Sequence, residues 1–329
     1  MRTRNLVKRT MPYYKKYWKS MIFDLFCAGL TTICELVLPL IIKYFTNTAI
    51  EDVSLLTVRI ILTLGGTYIA LRIIDAAANY YMASYGHIMG TKIETDMRRD
   101  MFNHLQKLSF TYYDSAKVGQ IMSRITTDLF DITEFSHHCP EEFFIAGIKI
   151  AVSFIILLNV NVWLTLIMFA VLPLMFVVTS KVRKKMKEAF QEQRAQCGEL
   201  NAKVEDSLLG IRVVKSFANE KIEEEKFAQG NKLFFNVKAK AYKYMGAFST
   251  TTRVFDGIMY ILVVMVGAVF MIKGYIKPGD YVAYLLYVST LLASVRRIIE
   301  FMEQFQRGMT GIERFAEIMD IKPDITDSE

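Results

Sequence analysis

The chain has 329 residues, of which 53% are hydrophobic and 22% charged, and a formal net charge of +7. Its apolar residues gather in runs longer than the roughly 18 that mark a membrane-helix candidate, which excludes an ordinary soluble domain with apolar positions spread at helical or strand spacing. Four cysteines, Cys27, Cys34, Cys139 and Cys197, form no Cys-x-x-Cys pair and read as small buried hydrophobes, without a disulfide or metal role.

Residues Met1–Lys19 carry seven Lys or Arg, and Tyr14, Tyr17 and Trp18 share one helical face. This pattern predicts an interfacial helix lying on an anionic leaflet with its aromatics at headgroup depth. No short apolar core with a small-residue cleavage site follows, so the first apolar run reads as an uncleaved anchor. Six spans are expected: about Ser20–Tyr44, Leu55–Ala83, Phe143–Val160, Val162–Ser180, Tyr244–Ile272, and a sixth beginning near Tyr281. The turn Lys277-Pro278-Gly279-Asp280 supplies a breaker and an N-cap before the sixth. Connectors after spans one, three and five are short. Those after spans two and four run to roughly 60 residues and are rich in helix formers, so they should carry the helices out into water.

The fold class is therefore all-α, a polytopic membrane protein with six transmembrane helices and long cytoplasmic helical extensions. Its parts are an arm at 1–19, a six-helix body at 20–320 with long connectors at about 84–142 and 181–243, and the start of a linker at 321–329. Of the 40 Lys and Arg, 7 lie in the arm, 6 in Gly86–Pro140, 15 in Lys181–Tyr244 and 5 after Val295. The opposite side holds Lys273 and Lys277, with Lys43 nearby. Excess basic residues mark the cytoplasmic side, so both termini and both long connectors are expected there. The basic connectors carry no nucleic-acid fold signature, and no nucleic-acid partner is expected.

Three stretches sharpen this reading. The first connector reads Phe110-Thr111-Tyr112-Tyr113-Asp114-Ser115-Ala116-Lys117-Val118-Gly119-Gln120-Ile121-Met122-Ser123-Arg124, and the second Glu205-Asp206-Ser207-Leu208-Leu209-Gly210-Ile211-Arg212-Val213-Val214-Lys215-Ser216-Phe217-Ala218-Asn219-Glu220. The last runs from Gln304 to Met309, then from Arg314 to Asp320. In order and spacing they resemble the transmembrane domain of exporter-type ATP-binding cassette (ABC) transporters: the surroundings of its two coupling helices and the segment leading into its nucleotide-binding domain. The resemblance covers essentially the whole chain. It implies a permease that exports an amphipathic drug, lipid or peptide by alternating access. The motor would be two ATPase domains holding ATP and Mg, with a second transmembrane domain, identical or different, as partner. It also implies that Tyr112, Tyr113, Asp114, Gly119, Asp206, Gly210 and Phe217 couple to the ATPase, with Tyr112 and Tyr113 as buried anchors and Gly119 and Gly210 permitting turns.

No Gly-x-x-x-x-Gly-Lys-Ser/Thr loop is present. Gly210 to Lys215-Ser216 lacks the Gly before the Lys and follows no strand, so this polypeptide is not expected to bind or hydrolyse ATP alone. The chain stops at Glu329, where the resemblance would place the ATPase, which is then either trimmed from this polypeptide or carried on another. A bacterial plasma membrane is the expected location.

Ionisable groups inside a membrane normally face a cavity or a partner. The candidates are Asp24, Glu35, Arg72, Asp75, Lys149, Arg253, Asp256, Arg296 and Arg297. Arg72, Asp75 and Asn79 make one polar stripe, in which Arg72 and Asp75 can pair. The uncharged run Tyr281–Val295 reaches only about 22 Å, short of the ~30 Å hydrocarbon layer, which sets Arg296 and Arg297 within the inner leaflet or snorkelling to its edge. The assigned cavity residues are Arg72, Asp75, Lys149, Arg296 and Arg297, and Arg296, Arg72 and Lys149 are expected to form a positive ring selecting anionic amphiphiles. His87, His104 and His137-His138-Cys139 lack a carboxylate or second thiol at ligand spacing and read as polar helix-surface residues. One other class fits less well, and another stays open. An ion-coupled carrier using Glu35, Asp75 and Asp256 would show broken helices and inverted repeats, and a non-transporting scaffold or sensor would share the same fold.

Overall fold

The computed structural model describes residues 3–116 and 118–323, and every regular element among them is helical. Lys117 of the first connector and residues 324–329 of the expected linker lie outside the described residues. The helices are α1 (Thr3–Lys15), α2 (Trp18–Glu51), α3 (Val58–Tyr81), α4 (His87–Leu105), α5 (Phe110–Ser115), α6 (Val118–Ser123), α7 (Leu129–Leu158), α8 (Val162–Leu209), α9 (Ile211–Ser216), α10 (Glu220–Ile272) and α11 (Pro278–Met319). Wide π-helical turns at Met82–Gly86 and Arg124–Asp128 join α3 to α4 and α6 to α7.

Among the described residues, five helical stretches are long and apolar enough to cross a membrane: Trp18–Glu51, Val58–Leu105, Val162–Leu209, Glu220–Ile272 and Pro278–Met319. The expected third span lies inside α7, where Glu141, Glu142 and Lys149 interrupt the apolar run. The short turns form where the sequence provides caps. Asn161 Oδ1 accepts from the Leu164 amide at 3.0 Å to start α8, Thr57 Oγ1 caps α3, and the Asp280 carboxylate reaches back to the Lys277 amide at 3.0 Å beside Pro278. Gly274, at φ +72°, closes the turn after α10 in a conformation that suits glycine.

The chain divides into two compact units. One comprises the residues up to Leu166 together with those from Val263 onward, and the other Ile167–Leu262. In the first unit, α2, α3, α7 and α11 pack side by side. Buried Tyr284 donates to the Leu157 or Asn161 carbonyl, each at 3.0 Å, and Tyr287 donates to the Leu36 carbonyl at 2.8 Å. At the end carrying the arm, Met89, Ile93, Met97, Met101 and Leu105 of α4 meet Leu129 and Ile132 of α7 and Ile312, Phe315 and Ile318 of α11 in one apolar core. The arm closes that core: Tyr13 stacks edge-on against Phe315 and donates to Asp100 at 2.8 Å, and Tyr14 bonds Ser136. Lys16 and Tyr17 share Asp96 at 2.7 and 2.9 Å, and this hydrogen bonding, Lys16 first, holds the Asp96 carboxyl below its ordinary range. Tyr14 and Tyr17 are thus turned onto the chain's own helices, while Trp18 is left exposed.

The second unit is an antiparallel pair made of most of α8 and α10. Ala189 and Ala241 are buried in it, Gly230 lies against the Leu200 side chain, and Lys240 pairs with Glu192 at 2.7 Å.

Candidate functional site

Helices α2, α3, α7 and α11 enclose a cavity of about 830 Å³. Its charged lining comprises Glu35 from α2, Arg72 and Asp75 from α3, Glu141, Glu142 and Lys149 from α7, and Arg297 from α11. The polar stripe of α3 and the late basic residue of α11 therefore reach the same space, as do the uncharged Thr31, Asn79, Ser289 and Thr290. Of the five cavity residues expected from the sequence, Arg72, Asp75, Lys149 and Arg297 line it and Arg296 does not. Arg296 precedes Arg297 by one position, and the ~100° rotation per helical residue turns the two side chains to different faces.

The positive ring is not formed. Arg72 pairs with Asp75 at 2.8 Å, Lys149 with Glu35 at 2.5 Å, and Arg297 with Glu142 at 3.2 Å. Three cations face four carboxylates, because α7 turns Glu141 and Glu142 inward together with Lys149. The lining is a set of ion pairs, two of which bridge different helices: Lys149–Glu35 joins α7 to α2, and Arg297–Glu142 joins α11 to α7. Their side chains are 14–56% exposed, so each pair contributes only about 0–1 kcal/mol and can exchange partners at small cost. Arg253 and Asp256 belong to the second unit.

The long connectors end in short helices that carry exposed apolar side chains. In the first, Tyr112 packs against the arm-end core, which raises its phenol pKa by burial. Tyr113 donates to the Leu105 carbonyl at 2.7 Å and stacks edge-on with Tyr112. These rings pin α5 to the chain itself, and the outward residues are Phe110 (87% exposed), Val118 and Met122, with Asp114 also exposed. Gly119 does not make the turn: it lies within α6, and the break falls at Ala116, whose backbone is extended. In the second connector, Asp206 is exposed on α8, and Gly210 separates α8 from α9 as expected. Phe217 (72% exposed), Leu208, Leu209 and Val213 form an apolar knuckle around α9. The chain reverses after Phe217 through Ala218 at φ +51°, where the Asn219 amide bonds the Val214 carbonyl at 3.0 Å. Phe110 and the Leu208-Leu209 pair lie in the two connector motifs, but nothing in the local pattern tells an outward aromatic from an inward one.

A family model for the ABC transporter transmembrane region matches residues 21–295. The chain belongs to this family. It is 35% identical, over 98% of its length, to the uncharacterized ABC transporter ATP-binding protein YwjA of Bacillus subtilis, covering 56% of that protein. It is 23% identical to an ATP-dependent lipid A-core flippase of Syntrophus aciditrophicus, with 99% of this chain and 53% of the flippase aligned. A putative multidrug export ATP-binding/permease protein of Bacillus subtilis, YgaD, is 22% identical, with coverage of 98% and 56%. The chain spans about half the length of the curated relatives it matches. As an ABC transmembrane region it is an integral membrane protein whose family works with a nucleotide-binding partner. Its matched segment contains the cavity lining up to Ser294 and both apolar tips.

Proposed function

We propose that this ABC transmembrane region is the permease half of an ATP-driven exporter, moving an amphipathic drug, lipid or peptide outward by alternating access. The observation that carries the reading is the charge-paired cavity between α2, α3, α7 and α11, set in a chain of this family. Paired charges beside hydroxyl and amide groups suit a cargo with both signs of charge, or with a polar head and an apolar body, better than a purely anionic one. The cross-helix pairs Lys149–Glu35 and Arg297–Glu142 are weak enough to break when α2, α7 and α11 part, and a cargo headgroup can replace either partner.

ATPase domains holding ATP and Mg dock, in this reading, on the two apolar tips. Phe110 and Phe217 are the anchors, since aromatic side chains concentrate interface energy. The long α8 and α10 act as levers between the α9 tip and the membrane. Six spans cross the bilayer, with α7 supplying the third; the arm, both tips and both termini are cytoplasmic, and the membrane is a bacterial plasma membrane. A second transmembrane domain completes the pathway, because six helices rarely enclose a wide one. Residues 321–329 begin the linker toward the ATPase.

The test is reconstitution of the chain with its nucleotide-binding domain in proteoliposomes, measuring ATP hydrolysis and ATP-dependent movement of zwitterionic, cationic and anionic amphiphiles. Transport that needs ATP and is uncoupled by Phe217→Asp or Phe110→Asp supports the proposal. Cargo movement driven by an ion gradient without ATP overturns it.

A further inference from the structure

Three of the four histidines converge at one place that neither the transport cavity nor the tips explain. His87 opens α4, directly after the π-helical turn Met82–Gly86, and His137 and His138 lie on α7. Their ring centroids are 4.7–5.2 Å apart, and the Nε2 atoms of His87 and His138 are separated by 3.1 Å. Three carboxylates join them: Glu134 Oε2 lies 3.5 Å from His138 Nε2, and two more approach His137. Asp24 Oδ2 of α2 lies 3.5 Å from His137 Nδ1, and Glu141 Oε2, one turn along α7, lies 3.8 Å from His137 Nε2.

This centre is buried and its hydrogen bonding is incomplete. His137 is 6% exposed, Asp24 3% and Glu141 7%. Neither ring nitrogen of His137 has a hydrogen-bond partner, and neither does Asp24 Oδ1. An imidazole sealed between two carboxylates with both nitrogens unsatisfied is costly unless a further group fills the gap. The backbone is shaped around that gap. A Cβ at Gly86 would lie 2.7 Å from His137 Nε2 and 2.8 Å from Asp24 Oδ1, so any side chain there would occupy the space between them. The exposed ring of His87 forms the open edge through which an ion can enter.

Imidazole nitrogen with carboxylate oxygen is the ligand chemistry of zinc and its first-row neighbours. The nitrogens of His87, His137 and His138 lie within 4.8 Å of one another, as do the donor atoms of Asp24, His137 and Glu141. A tetrahedral ion with bonds of about 2.0–2.1 Å holds its ligand atoms roughly 3.4 Å apart, which small side-chain rotations reach from here. We propose that His87, His137 and His138, with Asp24 or Glu141 completing the shell, bind a divalent first-row transition-metal ion such as Zn²⁺. The ion would tie α2, α4 and α7 together where the membrane body meets the arm-end core, and Glu141 would connect it to the cavity wall.

The test uses the full chain in lipid nanodiscs, purified without a polyhistidine tag, stripped with a chelator and titrated with Zn²⁺ and with Co²⁺. Metal analysis should find about one ion per chain, with Co²⁺ giving the visible bands of nitrogen-rich, low-coordinate binding. His137→Ala should abolish that signal, and His87→Gln, on an exposed ring whose loss spares folding, should weaken binding at least about tenfold. Gly86→Ala, which replaces no ligand but sets a methyl against His137 and Asp24, should weaken it comparably, and His104→Ala should leave it unchanged. A wild-type chain that retains no ion, or binding that survives both His137→Ala and His87→Gln, overturns the proposal.

Discussion

Helices α7 and α11 pack so closely that two glycines on α11 are required, and alanine at one of them gives a signed prediction. A Cβ at Gly311 would stand 2.9 Å from the Asp128 carbonyl oxygen and 2.9 Å from Ile132 Cγ1. One neighbour is backbone and cannot swing aside, so the helices must part or tilt. Overpacking of this kind costs about 1–3 kcal/mol, while replacing a helical glycine by alanine returns roughly 0.8–1.0 kcal/mol of propensity. Gly311→Ala should therefore destabilise by about 0–2 kcal/mol. Gly198 in α8 is the reference: it too is helical, but nothing lies within 4 Å of its Cβ position. Gly198→Ala should stabilise by up to about 1 kcal/mol, setting the two variants about 1–3 kcal/mol apart. At roughly 2 °C per kcal/mol for a chain of this size, the gap is about 2–6 °C. The assay is the apparent midpoint of helix loss by circular dichroism in one detergent at one scan rate, since irreversible unfolding makes midpoints rate-dependent. The reasoning fails if both alanines move the midpoint the same way by similar amounts.

Four further outcomes follow from particular contacts. Ala218 occupies a left-handed turn that favours glycine, so Ala218→Gly should stabilise the α9 tip by about 1 kcal/mol, read as slower amide exchange across 211–219. Tyr287→Phe removes one buried hydrogen bond to the Leu36 carbonyl and should cost about 0.5–1.5 kcal/mol in the same thermal assay. Asp96 binds Lys16 and Tyr17 and its carboxyl is held below the ordinary value. Arm docking from this contact is thus fully present above the unfolded carboxylate pKa and is lost as pH falls through the lowered one. A spin label at Met11 should gain mobility on acidification, and Asp96→Asn should abolish that dependence. Arg297→Ala leaves Glu142 without its cation, so ATP-dependent uptake should shift toward cationic amphiphiles, scored as the ratio of cationic to anionic cargo moved. An unchanged ratio would remove Arg297 from the cargo surface.

The sequence alone determined the membrane class, the long helices and the short turns, because each rests on local physics. Long apolar runs demand a helix in lipid, and Asn161, Thr57 and the Lys277–Asp280 turn carry their own caps. The order of the three connector motifs was equally legible, and with it the family. The tertiary structure alone decided which side of each helix meets which neighbour. Spacing showed that Arg72 can pair with Asp75, but the partners of Lys149 and Arg297 are Glu35 and Glu142, which arrive from other helices. Tyr112 turns onto the arm-end core while Phe110 turns outward, a choice made by that core and not by the residues adjacent in sequence. The histidines are the clearest case. No ligand spacing connects residues 24, 87 and 137, and they meet beside the π-helical turn Met82–Gly86, where Gly86 leaves room for His137 and Asp24.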